Sequence, residues 1–369
     1  MQRFDADDLR MPVVTSPIQM KPGIVFVVMS AVHRADTVDQ LAQALAPHIV
    51  LVHHDFSQTP AFGLTAPNVR FVPDPRRTGW AHFGFVDGIF HSLRHALEHL
   101  DFDYLQLLSP TCLPIKPLRH FEAHVSGGVE AHFSCVDLLA DRDALMSVGW
   151  RAFTPSGSLR HRIMRRLSVE YFGRSAGRRE LAGIWLRSGY ATNGRGSMTL
   201  LARCALAATE ALSRPAVGRH VFTGQFRPWY GSTWFGARRQ AVARIVEAFG
   251  APGVRDYFSR LLIADEFLIP TLLKHVGASA GPSNHYVHTF DEAHPGQVGE
   301  ADLERLKATP AFFARKFADD PGAALRRRVL RELAGIGGPG STPVAGLHPG
   351  ADRVPEPVLV TAGCSTRQR

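Results

Sequence analysis

Cysteine is scarce in this chain. There are four in 369 residues, Cys112, Cys135, Cys204 and Cys364, with no CxxC and no paired spacing. That excludes a disulfide framework and a cysteine-built zinc site, and it fits a reducing compartment. Long apolar runs are missing too: none approaches the roughly 20 residues of a membrane-spanning helix. The apolar run 24–28 with Met29 has the length of a buried strand. Residues 11–21 ahead of it are polar and contain proline, unlike a secretory leader. No internal repeat is visible. Acidic side chains are outnumbered, 33 against 42 Lys and Arg, for a net charge of +9. A balance of that sign favours anionic partners such as nucleotide sugars, anionic glycans or a lipid headgroup surface. The groove-reading motifs of nucleic-acid binders are absent.

What is present is a regular alternation. Hydrophobic residues make up 45% of the chain, enough for a large core. Residues 24–28 read as a buried strand. Residues 37–45 form a helix, with Val38, Leu41, Ala42 and Leu45 on one face. Residues 49–52 are a second strand, ending in His53-His54-Asp55. Residues 69–72 are a third, 79–100 a long amphipathic helix, and 104–108 a fourth strand. Alternating strands and helices predict an α/β fold, a mostly parallel sheet flanked by helices. Ligands in such sheets lie beyond the strands' carboxyl ends, where His53-His54-Asp55 and Ser109-Pro110-Thr111 fall. The middle, 140–230, is less regular and carries a basic run (Arg160, His161, Arg162, Arg165, Arg166, Arg174, Arg178, Arg179). Periodicity returns over 231–334. The expected organisation is a flexible extension 1–22, one domain 23–335, and a disordered Gly/Pro-rich tail 336–369.

Four constellations carry chemistry. Asp265-Glu266 open an apolar helix, where the dipole favours negative charge; the pair is either a cap or a general base with its neighbour. Arg315-Lys316, bracketed by Phe313 and Phe317, are either snorkelling surface cations or neutralisers of a bound anion. Gly231-Ser232-Thr233 is a turn leading into a short aromatic strand. Trp229 and Trp234 flank it as core aromatics or a sugar-stacking platform. Asp-x-Asp, which could hold a divalent ion through hard oxygen ligands, occurs three times. Asp5/Asp7 are in the extension, and Asp101/Asp103 precede their strand. Asp141/Asp143 are the credible pair. His53 and His54, adjacent at a strand end, point to opposite faces and do not suit one metal. A nucleophilic Cys112 has no sequence partner.

Taken in order, Leu107-Leu108-Ser109-Pro110-Thr111-Cys112-Leu113-Pro114, Gly231-Ser232-Thr233-Trp234-Phe235, Ala264-Asp265-Glu266-Phe267 and Phe313-Ala314-Arg315-Lys316-Phe317 resemble the core-2/I-branching β-1,6-N-acetylglucosaminyltransferase family. This is glycosyltransferase family 14, which also holds the peptide O-xylosyltransferases. The resemblance spans roughly 23–320 and implies a GT-A-like fold. It implies inverting, metal-independent transfer of a sugar, GlcNAc or xylose, from a UDP donor to a hydroxyl of a glycan or other acceptor, as in a bacterial polysaccharide. Glu266 would be the base, with Lys316 and secondarily Arg315 neutralising the diphosphate. His54, Asp55 and Ser109 would contact the donor; Trp229, Trp234, Ser232 and Asp265 would face the acceptor. No cofactor, no metal and no nucleic acid is expected. The family's eukaryotic members carry a membrane anchor and luminal cysteines. Neither is seen here, which argues for a bacterial-type cytoplasmic enzyme. The basic run is either a solvated helix face or an attractor of a membrane surface or an anionic acceptor.

Three departures stand out. Cys112 occupies the family's acidic position. The Gly and Ser after Trp80 are replaced. No Arg or Lys occurs near Tyr286, where the family has a second cation, so a histidine or a distant residue would have to serve. Three alternatives remain: a metal-dependent transferase using Asp141 and Asp143, a non-catalytic glycan- or nucleotide-binding module, and, more weakly, nucleic-acid binding through the basic run.

Overall fold

Seven consecutive residues, Ile24–Ser30, are buried along their whole length and form β1, an interior strand of the main sheet. A strand covered on both faces needs an unbroken apolar run rather than an alternating one. The computed structural model describes residues 23–172, 177–188, 220–287, 290–291 and 294–336, with positions 204, 207, 210 and 211 between. The extension 1–22, the tail from 337, His288, Arg174 and the side chain of Arg178 lie outside the described residues.

The first half alternates as the sequence predicts. After β1 come α1 (Ala35–Ala44), β2 (Ile49–His54), β3 (Val69–Phe71), α2 (Phe83–His99) and β4 (Tyr104–Leu108). Helix α2 begins four residues later than its apolar pattern suggests. Ala81 has φ +64°, a left-handed backbone that cannot continue a helix. Next are β5 (Leu113–Pro114), α3 (Leu118–Val125), β6 (Ala131–His132) and β7 (Val136–Asp137). Then follow α4 (Arg142–Ala144), a π-helical turn (Leu145–Gly149), α5 (Trp150–Phe153) and α6 (Leu159–Phe172). A hairpin joins β8 (Gly177–Leu181) to β9 (Ile184–Ser188). The remainder holds β10 (Trp229–Tyr230), β11 (Gly236–Arg238), α7 (Arg239–Phe249), α8 (Val254–Phe258) and α9 (Asp265–His275). Last come β12 (Ala280–Gly281), β13 (His285–Val287), the ribbon β14 (Phe290–Asp291) and β15 (His294–Pro295), α10 (Leu303–Ala308), β16 (Phe313–Arg315) and α11 (Ala324–Glu332).

Seven strands make the main sheet, in the order β12-β6-β11-β4-β1-β2-β3. Only β11 runs against the rest. It starts at Gly236, after the aromatic pair Trp234-Phe235 rather than within it. A Cβ at Gly236 would stand 2.3 Å from the Tyr104 hydroxyl and 2.4 Å from Gln106 Oε1, so this strand reaches β4 through a glycine.

Both sheet faces are covered, one by α2, α7 and α9 around Val27, Ile89, Phe90, Val242 and Leu272. The other carries α1 and α3 around Phe26, Val28, Leu41, Val52 and Phe121. A third cluster packs β5, β16 and α11 together. The fold is therefore α/β with a mostly parallel sheet. Among the described residues no helix is long and apolar enough to cross a membrane. The chain winds outward from β1 to β3, then returns to β4 on the other side of β1. Such a reversal leaves a crevice at the strands' carboxyl ends.

Candidate active site

Three segments meet at the carboxyl end of β4. The first is the loop 109–112 that follows the strand. The second is 231–235, anchored where Leu107 N donates to Phe235 O at 2.9 Å. The third is 315–319, held by Phe317 N donating to Thr111 O (3.0 Å) and Arg34 N donating to Asp319 Oδ2 (3.2 Å). The second segment brings α9 with it, because Gly231 N donates to Glu266 O at 2.8 Å.

The acidic half of the site stands at the first turn of α9. Its approach is strained, since Ile263, a β-branched residue, has φ +54°. Asp265 is buried and accepts a hydrogen bond from the Thr233 hydroxyl. Burial, and then the charge of Glu266, push its carboxyl up to about 6, against the Thr233 bond. Glu266 is more open. Its Oε2 accepts from Arg151 Nη2 at 2.8 Å, and its Oε1 has no partner among the described residues. Arg151 comes from α5 and is buried against Tyr230 and Phe267, its guanidinium 5.8 and 5.2 Å from their ring centres. Burial works against its charge, but the Glu266 carboxylate and Tyr230 outweigh it and raise its pKa. The ion pair fixes one carboxylate oxygen and leaves the other available.

The basic half is strand β16 with the residues just after it. The Arg315 guanidinium lies 4.8 Å from the Trp234 ring centre, which ties this half to the 231–235 segment. Burial lowers the Arg315 pKa, opposed by the fields of Cys112, Glu266 and Asp265. Lys316 follows and forms no ion pair among the described residues; its carbonyl accepts from Val298 N at 2.9 Å. Behind them, Arg326 is fully buried and donates to Gln40 Oε1 (2.8 Å) and Ala318 O (3.1 Å). Burial pulls it down to about 10.

Buried polar atoms without a hydrogen-bond partner gather here: His33 Nδ1, Arg315 Nε, Asp319 Oδ1 and Arg326 Nη2. Each such atom costs about 1–3 kcal/mol, so a cluster of them calls for an explanation. Burial lowers the His33 pKa, with Asp319 opposing and Lys316 and Arg315 assisting. The two guanidinium nitrogens, Arg315 Nε and Arg326 Nη2, can donate to an anion, whereas the Asp319 carboxylate oxygen repels one. A shallow depression of about 310 Å³ between α1 and α11 is lined by Gln40, Gln43, Arg327 and Leu330, and by none of the residues of the two halves.

The other sequence candidates divide. Ser109 is at the crevice, its hydroxyl 3.1 Å from Thr111 Oγ1 and 3.2 Å from Cys112 Sγ. Cys112 is fully buried and burial raises its pKa, so it is no thiolate nucleophile. His54 is spent on structure: Nδ1 meets Ser30 Oγ (3.2 Å), Nε2 meets Thr59 O (2.9 Å), and its ring stacks on Phe62 at 3.6 Å. Asp55 likewise organises its own loop. It accepts from Ser57 N, Ser57 Oγ, Gln58 Nε2 and Thr78 N, bonds that hold it below the usual carboxylate range despite burial. Ser232 is bound on both sides, its amide to Ser134 Oγ (3.0 Å) and its Oγ to Trp234 N (3.3 Å). Trp234 is buried beneath Arg315 and so offers no open stacking face. Trp229 is half-buried with Lys274 Nζ 4.8 Å from its ring centre.

Asp141 and Asp143 are joined to Arg179, at 2.6 and 2.9 Å, and Asp141 also caps α4 by accepting from Ala144 N. Arg179 thus provides the positive charge that the metal-dependent alternative would assign to a divalent ion. Among the described residues no group of three or more metal-ligating side chains is assembled.

Neither Arg151 nor His285 stands out in the sequence. The signal for Arg151 is a charge inside an apolar stretch, Trp150-Arg151-Ala152-Phe153, which must find a counter-charge when buried. His285 occupies the segment where the resemblance asks for a second cation. It is buried with neither ring nitrogen bonded, and burial followed by Arg315 lowers it to about 3. It is therefore a neutral imidazole and not the second cation. Compared with known proteins, the chain matches no family model and has no significant match to a curated protein.

Proposed function

We propose that the protein is an inverting glycosyltransferase with a GT-A-like fold, which moves a sugar from a UDP donor to an acceptor hydroxyl without a metal ion. One observation carries the reading. The carboxylates of α9 and Arg315 of β16, some fifty residues apart in sequence, are brought to one end of β4 by the 231–235 segment: Thr233 donates to Asp265, Gly231 N to Glu266 O, and the Arg315 guanidinium lies 4.8 Å from the Trp234 ring centre. Glu266 takes the proton of the acceptor hydroxyl on its unpaired Oε1. The acceptor oxygen bonds to the anomeric carbon from the face opposite the diphosphate. The bond from that carbon to the diphosphate oxygen breaks, and its electron pair departs with UDP. Arg315 and Lys316 offset the charge that accumulates on the leaving group, the kind of fixed stabilisation that lowers such a barrier. The donor sugar, GlcNAc or xylose, and a glycan acceptor follow from the family resemblance.

Glu266→Gln is the direct test. It is isosteric and leaves an oxygen for Arg151 to bind. Turnover, followed as UDP release from UDP-sugars, should fall about two to four orders of magnitude. UDP affinity measured by calorimetry should stay near the parent's. Equal turnover in mutant and parent removes Glu266 from the mechanism. UDP binding without turnover of any UDP-sugar by the parent would favour the non-catalytic binding module.

A further inference from the structure

The outward face of α6 combines cations with apolar side chains left in water. His161 and Met164 turn inward and are buried, whereas Leu159, Arg162, Ile163, Arg165 and Arg166 are exposed. Positions 159, 162, 163 and 166 form one helical stripe. Leu159 is 64% and Ile163 48% exposed, although burial is the usual fate of both residue types. Helix α6 carries four arginines, Arg160, Arg162, Arg165 and Arg166, against one acidic residue, Glu170.

A third exposed apolar side chain, Trp80, stands on a segment linked through backbone bonds to the approach to α6. Ser156 N, just ahead of α6, donates to Arg260 O at 2.7 Å, and Ile263 N donates to Ala81 O at 3.4 Å. These bonds stitch the approach to α6, the 260–263 turn and the Trp80-Ala81 pair together. Trp80 is 71% exposed.

We propose that this rim docks on a bilayer containing anionic lipid. The mixture of residues selects the occupant. A nucleic acid or soluble polyanion would satisfy the arginines and leave Leu159, Ile163 and Trp80 in water. The boundary between headgroups and acyl chains takes both at once: apolar tips inward, guanidinium groups at the phosphates. Tryptophan is favoured at that depth, and the anionic leaflet attracts basic segments within a Debye length. The proposal does not depend on the reaction assigned above. The turn that carries the rim runs into Asp265 and Glu266, so a docked molecule would hold its acidic pair close to the lipid surface.

The test is co-sedimentation of the full chain with vesicles of phosphatidylcholine alone, or mixed with phosphatidylglycerol. The parent should bind the mixed vesicles only, and less in high salt. The double variant Arg162→Glu/Arg166→Glu should lose about tenfold or more of that binding. Leu159→Ser/Ile163→Ser, which leaves the charge unchanged, should lose several-fold. Arg327→Glu/Arg331→Glu on α11 makes the same change in net charge elsewhere and should bind like the parent. Thermal midpoints close to the parent's show that each variant is folded; where one is not, Trp80→Ser replaces it with the same several-fold expectation. No binding to mixed vesicles overturns the proposal, as does equal binding to neutral ones or an equal loss in the α11 variant. Retention on a sulfated polysaccharide without vesicle binding also overturns it and assigns the rim to an anionic glycan.

Discussion

Asp265 and Glu266 are adjacent in sequence but live in different surroundings. Asp265 is buried on Thr233, while Glu266 reaches the crevice on an ion pair with Arg151. The folded protein therefore holds the proton of Asp265 more tightly than the unfolded chain does, about 6 against 3.8. Between those values the native state binds more protons, so this carboxyl's contribution to stability is full below about pH 4 and is lost as pH rises through about 6. Relative to Asp265→Asn, which cannot titrate, the parent should lose up to about 3 kcal/mol between pH 4 and 7, at ~1.4 kcal/mol for each tenfold difference in proton affinity. Urea denaturation of both proteins across that range reads it. Parallel stability curves would show that Asp265 is ordinary. Arg151 completes the residue picture, since its loss would leave two neighbouring carboxylates with no guanidinium between α5 and α9.

Helix α9 and the 231–235 segment act as one element, because the Gly231 amide binds the Glu266 carbonyl. A Cβ at Gly231 would fall 2.1 Å from Ser134 O and 3.3 Å from Pro270 Cβ, so either backbone or helix must move. Gly231→Ala should cost about 2 kcal/mol or more in chemical denaturation. Gly63→Ala, with nothing within 4 Å of its Cβ, should stay within about 0.5 kcal/mol. Equal effects would mean that the Gly231 contact relaxes freely.

Elements were legible where periodicity ran long. Strands β1 to β4 and helices α1 and α2 were readable in the sequence because each repeats one apolar pattern over several residues. Strands of two residues, such as β5, β6, β10 and β12, contain no period to read and exist only through partners distant in sequence. The site follows the same division. Glu266 and Lys316 stand out in the sequence as charges beside apolar runs, at a helix start and between phenylalanines. Arg151 is a single residue whose meaning depends on a helix 115 residues away. His54 and Asp55 lie at the end of a strand, as their position after an apolar run implies. Their own loop consumes their polar atoms, and hydrogen bonding of that kind leaves no trace in composition.

At the scale of the whole molecule, the acidic pair Asp141/Asp143 and the cations Arg315 and Lys316 have opposite fates. Asp141 and Asp143 are held by Arg179, while Arg315 and Lys316 stand at the crevice without ion pairs among the described residues. Activity should therefore survive EDTA unchanged, and Lys316→Ala should lower both UDP affinity and kcat, kcat the more because charge on the diphosphate grows as the bond breaks. Calorimetry with UDP and UDP-release rates distinguish the cases. Loss of activity in EDTA, restored by Mn²⁺, would move the diphosphate to Asp141 and Asp143.

The crevice is closed by a segment that arrives late. Residues 315–319 are tied to Thr111 and Arg34, across some two to three hundred positions of chain. Contacts of that sequence separation are slow to form, because the intervening loop must close before they repay its entropy. A nascent chain can assemble β1, β2 and β4 while synthesis continues, yet it lacks Arg315 and Lys316 at their carboxyl ends until β16 has emerged and docked. Competence to hold an anion should thus be among the last properties acquired during refolding. A ribosome-stalled chain ending shortly after α10 would contain all seven strands of the main sheet and all of α9 but should bind no anion at the crevice.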